Sequence, residues 1–377
     1  MNHQANHHVY PRQFFLLAFI SGVCFKVVML PQYLVTTAGR QAWMTMALMM
    51  TIELMMLGVV YGFVRETALT DNLLPKPLRG VLCLVVLACS MFKSSILLSE
   101  SVNYVCTTLF DNAMWIYGVL GILPCIYYLA YKGGNILART CEILFWFMTA
   151  ALLFNVLFAH AEGSLANLLP IEPSTDVVLA GDKHIIWFAD FTPLLLLRVV
   201  PGEKHTKLFG TLSVVALLVC PMLVILAFQA IYGGGGALVS NAFSKLAIFN
   251  KISFLLGTVD FPTVCAWLMM ACVKLGLMLY AATQCLHFFL PKHRPLCAAI
   301  VAIGLGGIAI FGTRSIGNTY RIATSALRYV FGIAEYLVPM IAYTAMRICK
   351  ARRMPAPALF PTLQALPEHA ATQEESA

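Results

Sequence analysis

Ten apolar segments of 17 to 30 residues, separated by short polar loops, occupy more than half of this 377-residue chain. They are residues 13–35, 42–63, 80–101, 114–131, 138–159, 180–197, 208–232, 261–290, 296–312 and 325–347. The hydrocarbon core of a bilayer is about 30 Å thick, and a helix needs about 20 mostly apolar residues to cross it. The pattern therefore predicts an all-α integral membrane protein with ten transmembrane helices, called spans 1 to 10 below.

The composition excludes most soluble classes of protein. Hydrophobic residues make up 60% of the chain and charged residues 11%, whereas an average soluble domain has about 45–50% apolar and about 25% charged residues. A soluble protein of this size still needs a polar surface, so the excess apolar surface is expected to face lipid. A soluble enzyme, a disordered regulator and a secreted disulfide scaffold are excluded. The net charge of +8 comes from short clusters between the spans and not from a basic stripe, so no nucleic-acid binding is predicted.

The distribution of basic residues predicts the orientation. With both termini in the cytoplasm, the inner side holds fourteen lysine and arginine residues and the outer side six, as the positive-inside rule requires. We expect residues 1–12 to form a cytoplasmic leader, residues 13–347 the membrane domain, and residues 348–377, which are rich in Pro, Ala and Glu, a disordered cytoplasmic tail. Within the membrane domain, residues 239–256 have the pattern of a helix that lies in the membrane interface, with Asn241, Ser244, Lys245 and Lys251 on its polar face.

No pattern indicates catalysis, a cofactor or a metal. The twelve cysteines include no C-x-x-C pair and are interpreted as small buried hydrophobic residues. The N-terminal His3, His7 and His8 are interpreted as part of a solvated tail and not as metal ligands. No Ser/His/Asp or paired-carboxylate arrangement has a readable spacing, so no enzymatic activity is predicted.

Six ionisable residues lie near the middle of their spans. They are Lys26, Glu53, Lys93, Asp190, Lys274 and Glu335. Each costs about 2.5–3.5 kcal/mol at the centre of a bilayer on the insertion scale, so such residues usually have a role. Three are basic and three acidic, which lets the set neutralise itself.

Several pairings are open to the sequence. Spans 1 and 2 run antiparallel if their loop is short, which brings Lys26 near Glu53. This contact is either a structural ion pair, or Lys26 meets a ligand carboxylate or releases its proton during a cycle. Glu335 has two candidate partners, Arg328 on its own span or Lys274 on another. Arg139 and Glu142 have the spacing of an i,i+3 pair on one helix.

Spans 1 and 6 both carry helix-breaking signals. Span 1 contains Ser21-Gly22 and then Pro31, and span 6 contains Asp190 and Pro193 within an apolar run. Each signal alone is typical of a kink or a packing position. Interrupted helices at corresponding places in two halves of a membrane protein indicate instead a ligand site near the bilayer midplane.

Short motifs along residues 10–290 resemble those of spore-germination permeases, the multi-span B subunits of endospore germinant receptors. They are residues 13–17 (QFFLL), 29–31 (MLP), 38–43 (AGRQAW), 138–139 (AR), 142–144 (EIL), 167–171 (NLLPI), 191–193 (FTP), 274–275 (KL) and 280–282 (YAA). Each is short, but their order and spacing are specific.

The resemblance implies the fold of amino acid–polyamine–organocation (APC) transporters. This LeuT-like fold has ten helices in two inverted five-helix repeats, with helices 1 and 6 unwound around the ligand and helices 3 and 8 closing the site. Lys26, Lys93, Asp190 and Lys274 lie on those four spans. By position, the ligand would contact Ser21, Gly22, Val23, Cys24 and Lys26 in span 1, and Phe188, Ala189, Asp190 and Thr192 in span 6.

Two positions depart from the family pattern. Many members have a G-x-G motif in helix 1, where this chain has only Gly22, and many have a glutamate in helix 6, where this chain has Asp190.

The resemblance implies a nutrient sensor of the dormant-spore inner membrane. It would bind a small nutrient, an amino acid in the first place, and signal to receptor A and C subunits. Two alternatives remain at this point. One is a proton-coupled amino-acid transporter in which Lys26, Asp190 or Lys274 carries the proton. The other is a membrane scaffold whose charges only hold helices together.

Overall fold

The computed structural model describes residues 8–108, 115–159, 163–169, 174–200, 206–248, 260–291, 293–313 and 315–353. Within these ranges the chain is almost entirely helical. The α-helices are α1 (Pro11–Cys24), α2 (Leu30–Ala38), α3 (Ala42–Val64), α4 (Lys76–Thr108), α5 (Trp115–Lys132), α6 (Gly134–Ala159), α7 (Thr175–Lys183), α8 (Thr206–Tyr232), α9 (Ala242–Ile248), α10 (Asp260–Phe289), α11 (Arg294–Gly307), α12 (Ile316–Ala323) and α13 (Leu327–Arg353). Two short strands, β1 (His8–Val9) and β2 (Arg198–Val199), pair in parallel.

Every predicted span contains helix in the structure. Seven helical stretches of the described chain are long and apolar enough to cross a membrane, judged by length and composition. Spans 1 and 6 are interrupted, as predicted. Span 1 is divided into α1 and α2 by the turn 25–29, and span 6 consists of α7 followed by two 3₁₀ turns, Ile185–Trp187 and Thr192–Leu196.

Proline helps to place both interruptions. Pro31 lies in the first turn of α2 and Pro193 in the first turn of the second 3₁₀ segment. Proline lacks an amide hydrogen and fixes φ near −65°, so it fits the first turn of a helix and disrupts the interior of one. The chain therefore restarts its helices at these prolines after each break.

The interior of the molecule is formed around α1 and α10. All residues of α1 from Gln13 to Cys24 are buried, which is typical of a helix that is apolar on every side. Helix α10 contacts α1, α4, α5 and α6, and most of its apolar window is buried. The two helices therefore form the centre against which both interrupted spans pack.

Two predicted segments need correction. The polar face expected for residues 239–256 is not exposed, since Asn241 and Ser244 are buried and α9 packs against α6, α8 and α10. Lys245 is exposed, and Lys251 lies outside the described residues. The predicted tail 348–377 is helical as far as Arg353, because the lysine, arginine and alanine residues there favour helix; residues 354–377 lie outside the described ranges.

The expected leader is partly structured. Residues 8–9 form β1 and Pro11 already begins α1, while His3 and His7 lie outside the described residues. Of the twelve cysteines, all free, eight are buried, including Cys83, Cys89 and Cys285. Cys265 and Cys272 are only partly buried.

Candidate functional site

Helix α1 ends at Cys24 in the interior of the protein, where water cannot satisfy its last carbonyl oxygens. Lysine side chains take that role. The Lys274 ammonium donates to the Ser21 oxygen over 2.7 Å, and the Lys26 ammonium donates to the Gly22 oxygen over 2.6 Å. A helix C-terminus carries a partial negative charge and leaves its final carbonyls without helical partners. The break in span 1 is thus stabilised by cations.

The break in span 6 has the same arrangement. Phe188 is extended and Ala189 has φ +60°, in the left-handed region that residues other than glycine rarely adopt. The Lys93 ammonium donates to the carbonyl oxygen of Phe188, and to that of Ala189 over 3.2 Å. The strained backbone therefore turns two carbonyls toward a cation.

Asp190 joins the three lysines. Its carboxylate accepts from Lys26 over 2.6 Å, from Lys93 over 2.9 Å and from Lys274 over 2.7 Å. All four side chains are at least 98% buried. Three cations around one carboxylate need further negative charge nearby, because an uncompensated charge in the interior is costly.

Glu53 and Glu335 supply that charge. Lys26 contacts Glu53 over 3.1 Å, which confirms the predicted pair, and Lys93 contacts Glu335 over 2.9 Å. Glu53 also accepts from the backbone amide of Asp190 over 3.3 Å. We call Lys26, Glu53, Lys93, Asp190, Lys274 and Glu335 the charge network. With every member ionised it is formally neutral, and it links α3, α4, α10, α13 and both breaks.

The predicted partners of Glu335 were wrong. Lys274 reaches Asp190 and the Ser21 carbonyl instead, and Arg328 pairs with Asp182 over 3.2 Å. Arg328 and Glu335 are two helical turns apart, about 10 Å along the axis of α13. Each therefore meets a different layer of the protein.

The predicted pair of Arg139 with Glu142 is also replaced. The Glu142 carboxylate accepts from the Arg12 guanidinium and, over 3.1 Å, from the Gln13 amide. These residues belong to α1, which packs against α6. A contact between helices has taken the place of the one expected within a helix.

The residues predicted to bind ligand lie at the two breaks. Ser21 donates to the Asp190 carbonyl over 3.0 Å, and Thr192 donates to the Glu335 carbonyl over 2.8 Å. The others, Gly22, Val23, Cys24, Phe188 and Ala189, are buried beside them. The structure thus brings the set together, and its role as a ligand site stays a prediction.

Glu100 is a buried carboxylate that the sequence analysis missed. It lies one residue from the predicted end of span 3, where charged residues are common, but α4 continues to Thr108 and carries it inside the protein. Its carboxylate accepts from the indole nitrogen of Trp187 over 2.8 Å. A longer apolar window for span 3 would have identified it.

Four aromatic rings pack together beside Glu100. Tyr33 lies 4.6 Å from Tyr320 and 5.2 Å from Trp187 between ring centroids, and it stacks on His184. We call these four residues the aromatic layer. They come from α2, the span 6 break and α12, so the layer bridges both interrupted spans.

A cavity of about 420 Å³ lies against the aromatic layer. Tyr33 and Tyr320 line it, together with polar side chains that include Gln32, Asn103 and Asn241. These residues come from chain segments that the positive-inside rule places at the outer face. The cavity leads toward the network, and the aromatic layer lies at its inner end.

The interrupted spans, the buried ionisable site between them and the helical membrane architecture define a transporter of the LeuT fold. The chain is similar to a Na⁺-coupled sialic acid symporter in its substrate-bound outward-open state, with TM-score 0.61, 12% identity and coverage of 90% of this chain and 80% of that one. It is also similar to MhsT in complex with L-phenylalanine, with TM-score 0.59, 13% identity and coverage of 90% and 97%. At these identities the likeness shows the fold alone.

A family model described as spore germination protein, the spore permease family, matches residues 8–314. The chain therefore belongs to the spore germination permease family, as its short motifs indicated, and it is a multi-pass membrane protein with a permease-like architecture. A comparison with curated proteins finds no match.

Proposed function

We propose that this chain is the membrane subunit of a germinant receptor that binds a small nutrient, in the first place an amino acid, where the breaks of spans 1 and 6 meet. The observation that carries the proposal is the neutral charge network held between the two breaks. Family membership supports a role in germination.

The chemistry of the network suits a zwitterion. A free amino acid carries one carboxylate and one ammonium group. Its carboxylate can replace Glu53 at the Lys26 ammonium, while its own ammonium takes up the carboxylate that is released. Such an exchange leaves no net charge in the interior, which a purely anionic or cationic ligand does not achieve.

Signalling requires that the nutrient bind one conformation more tightly than another. The side chains of the network are buried, and the Tyr33 and Tyr320 rings are in contact. Entry from the 420 Å³ cavity would separate these rings and exchange ion pairs, so the ligand would favour a more open arrangement. That change is the signal we propose for the receptor A and C subunits.

The setting follows from the family and the charge distribution. We place the protein in the inner membrane of the dormant spore with both termini in the cytoplasm. The cavity then faces outward, toward arriving nutrients.

Thermal stabilisation of the purified protein by a panel of amino acids, nucleosides and sugars tests the site. A compound that stabilises the wild type, stabilises the Lys245→Met control equally and fails with Lys26→Met supports binding at the break. Lys245 is exposed on α9, so this control loses a lysine without touching the network. Equal stabilisation of all three proteins would place the ligand elsewhere. In spores, unchanged germination with every nutrient after deletion of the gene would contradict the receptor role.

Proton-coupled amino-acid transport is the second candidate. It is favoured by the fold, shared with a Na⁺-coupled symporter, and by protonatable groups inside the membrane domain. Liposome flux separates the two functions. Sustained uptake of a labelled amino acid driven by a proton gradient supports transport, and saturable binding without uptake supports sensing.

A further inference from the structure

Arg79, at the start of α4, is a buried cation without an acidic partner among the described residues. Its side chain is 8% exposed. One guanidinium nitrogen donates to the carbonyl oxygens of Thr70 and Asp71 and to the Asn72 side-chain oxygen, over 3.1, 2.7 and 2.7 Å. These acceptors are all neutral oxygens. The Asp71 carboxylate itself accepts from the residues 67–68 turn and lies 3.8 Å from Arg198.

The guanidinium keeps unused donors. Its Nε is buried and has no acceptor among the described residues, and its plane lies over the Phe288 ring, 4.8 Å from the centroid. Arginine is suited to planar oxyanions because its donors form a rigid fork. The charge and the free donor are both available to a ligand.

A second unpartnered donor lines the same space. Gln284 of α10 is 3% exposed, and its amide nitrogen has no acceptor in the described part of the chain. Arg79, Gln284 and His287 line a cleft of about 320 Å³. A buried donor without an acceptor is rare in folded proteins and calls for a bound group.

We propose that this cleft is a binding site for a phosphate group, separate from the charge network and on the opposite face from the 420 Å³ cavity. The occupant is an oxyanion because every group that defines the site donates hydrogen bonds or carries positive charge. The loops that form the cleft lie on the side predicted to be cytoplasmic. That side offers two sources of the same chemistry, the headgroup of an anionic phospholipid and free inorganic phosphate.

Three full-length variants test the site. Arg79→Gln removes the charge, Gln284→Met removes one donor at nearly constant volume, and Arg352→Gln removes an exposed arginine from the same predicted face as a control. The first arm measures the shift in melting temperature with inorganic phosphate in neutral detergent. The second measures, by native mass spectrometry, lipid retained after extraction from nanodiscs of phosphatidylcholine with or without phosphatidylglycerol.

Saturable stabilisation by phosphate that weakens about tenfold or more in Arg79→Gln, and measurably in Gln284→Met, supports a free phosphate ligand, since a charged hydrogen bond contributes about 1.5–3 kcal/mol. Retention of phosphatidylglycerol that both variants lose supports a lipid headgroup. The control should match the wild type in both arms. No binding in either arm, or binding that is equal in all four proteins, overturns the proposal. If Arg79→Gln does not fold, the comparison of Gln284→Met with wild type decides.

Discussion

The indole nitrogen of Trp187 donates to the Glu100 carboxylate over 2.8 Å, and this hydrogen bond ties the break of span 6 to the middle of α4. Trp187 is also part of the aromatic layer at the inner end of the outer cavity. The rings that separate the cavity from the charge network are therefore anchored to a buried carboxylate and cannot move independently of α4.

We expect Trp187→Phe to lower the free energy of unfolding, because Glu100 loses its donor while remaining buried. A hydrogen bond to a charged group contributes about 1.5–3 kcal/mol. A double-mutant cycle with Glu100→Gln isolates this contribution from the change in ring size, with unfolding followed in detergent. A coupling energy near zero would show that the hydrogen bond does not stabilise the fold.

Lys26→Met should be strongly destabilising. It leaves Glu53 without its lysine and removes one of three cations from Asp190, and breaking a buried ion pair costs about 3–5 kcal/mol. Adding Glu53→Gln restores a neutral network, so the double variant should be more stable than Lys26→Met alone. Thermal unfolding in detergent measures both, with Lys245→Met expected within about 0.5 kcal/mol of wild type. A double variant less stable than the single one would contradict a charge-balance role for Glu53.

Gly22→Ala should disturb the packing of α1 on α8. A methyl group at Gly22 would lie 2.3 Å from a Leu217 methyl carbon and 3.3 Å from the Phe191 ring, and overpacking costs about 1–3 kcal/mol. Gly58→Ala on α3 is the matched control, because its added methyl group meets nothing within 4 Å. That change should stabilise the helix by about 0.5–1 kcal/mol. Equal melting temperatures for the two variants would argue against a close approach at Gly22.

Ala189→Gly should raise stability, although glycine usually weakens a fold. Ala189 has φ +60°, and the left-handed conformation costs an L-residue about 1–2 kcal/mol that glycine avoids. Ala18→Gly, in the buried interior of α1, should lower stability and serves as the contrast. Differential scanning of both variants in detergent provides the comparison. A loss of stability in Ala189→Gly would indicate that its methyl group packs more favourably than the backbone is strained.

Local sequence features predicted much of the fold. Apolar length sets where a span lies, so each predicted segment contains helix, and the combination of Gly22, Pro31 and Pro193 marked both breaks before any coordinates. The contact between Lys26 and Glu53 was predictable because spans 1 and 2 are neighbours in the chain and have their charges at similar depth.

Contacts between distant segments could not be predicted. Glu335 pairs with Lys93, 242 residues away in the sequence, and only the packing of α13 on α4 determines that choice. Glu100 was missed because helix ends are the least certain part of a reading from one sequence. The polar face assigned to residues 239–256 failed for a related reason, since Asn241 and Ser244 are covered by helices from elsewhere in the chain.

The pairing of β1 with β2 has a mechanical consequence. Val200 donates its amide hydrogen to the Val9 carbonyl over 3.0 Å, which joins the chain just before α1 to the chain just after the break in span 6. The two interrupted spans are thus pinned to each other at one end only. Rotation about this pivot would leave β1 and β2 in place and produce its largest displacement at α2 and α7, where Tyr33 and His184 meet.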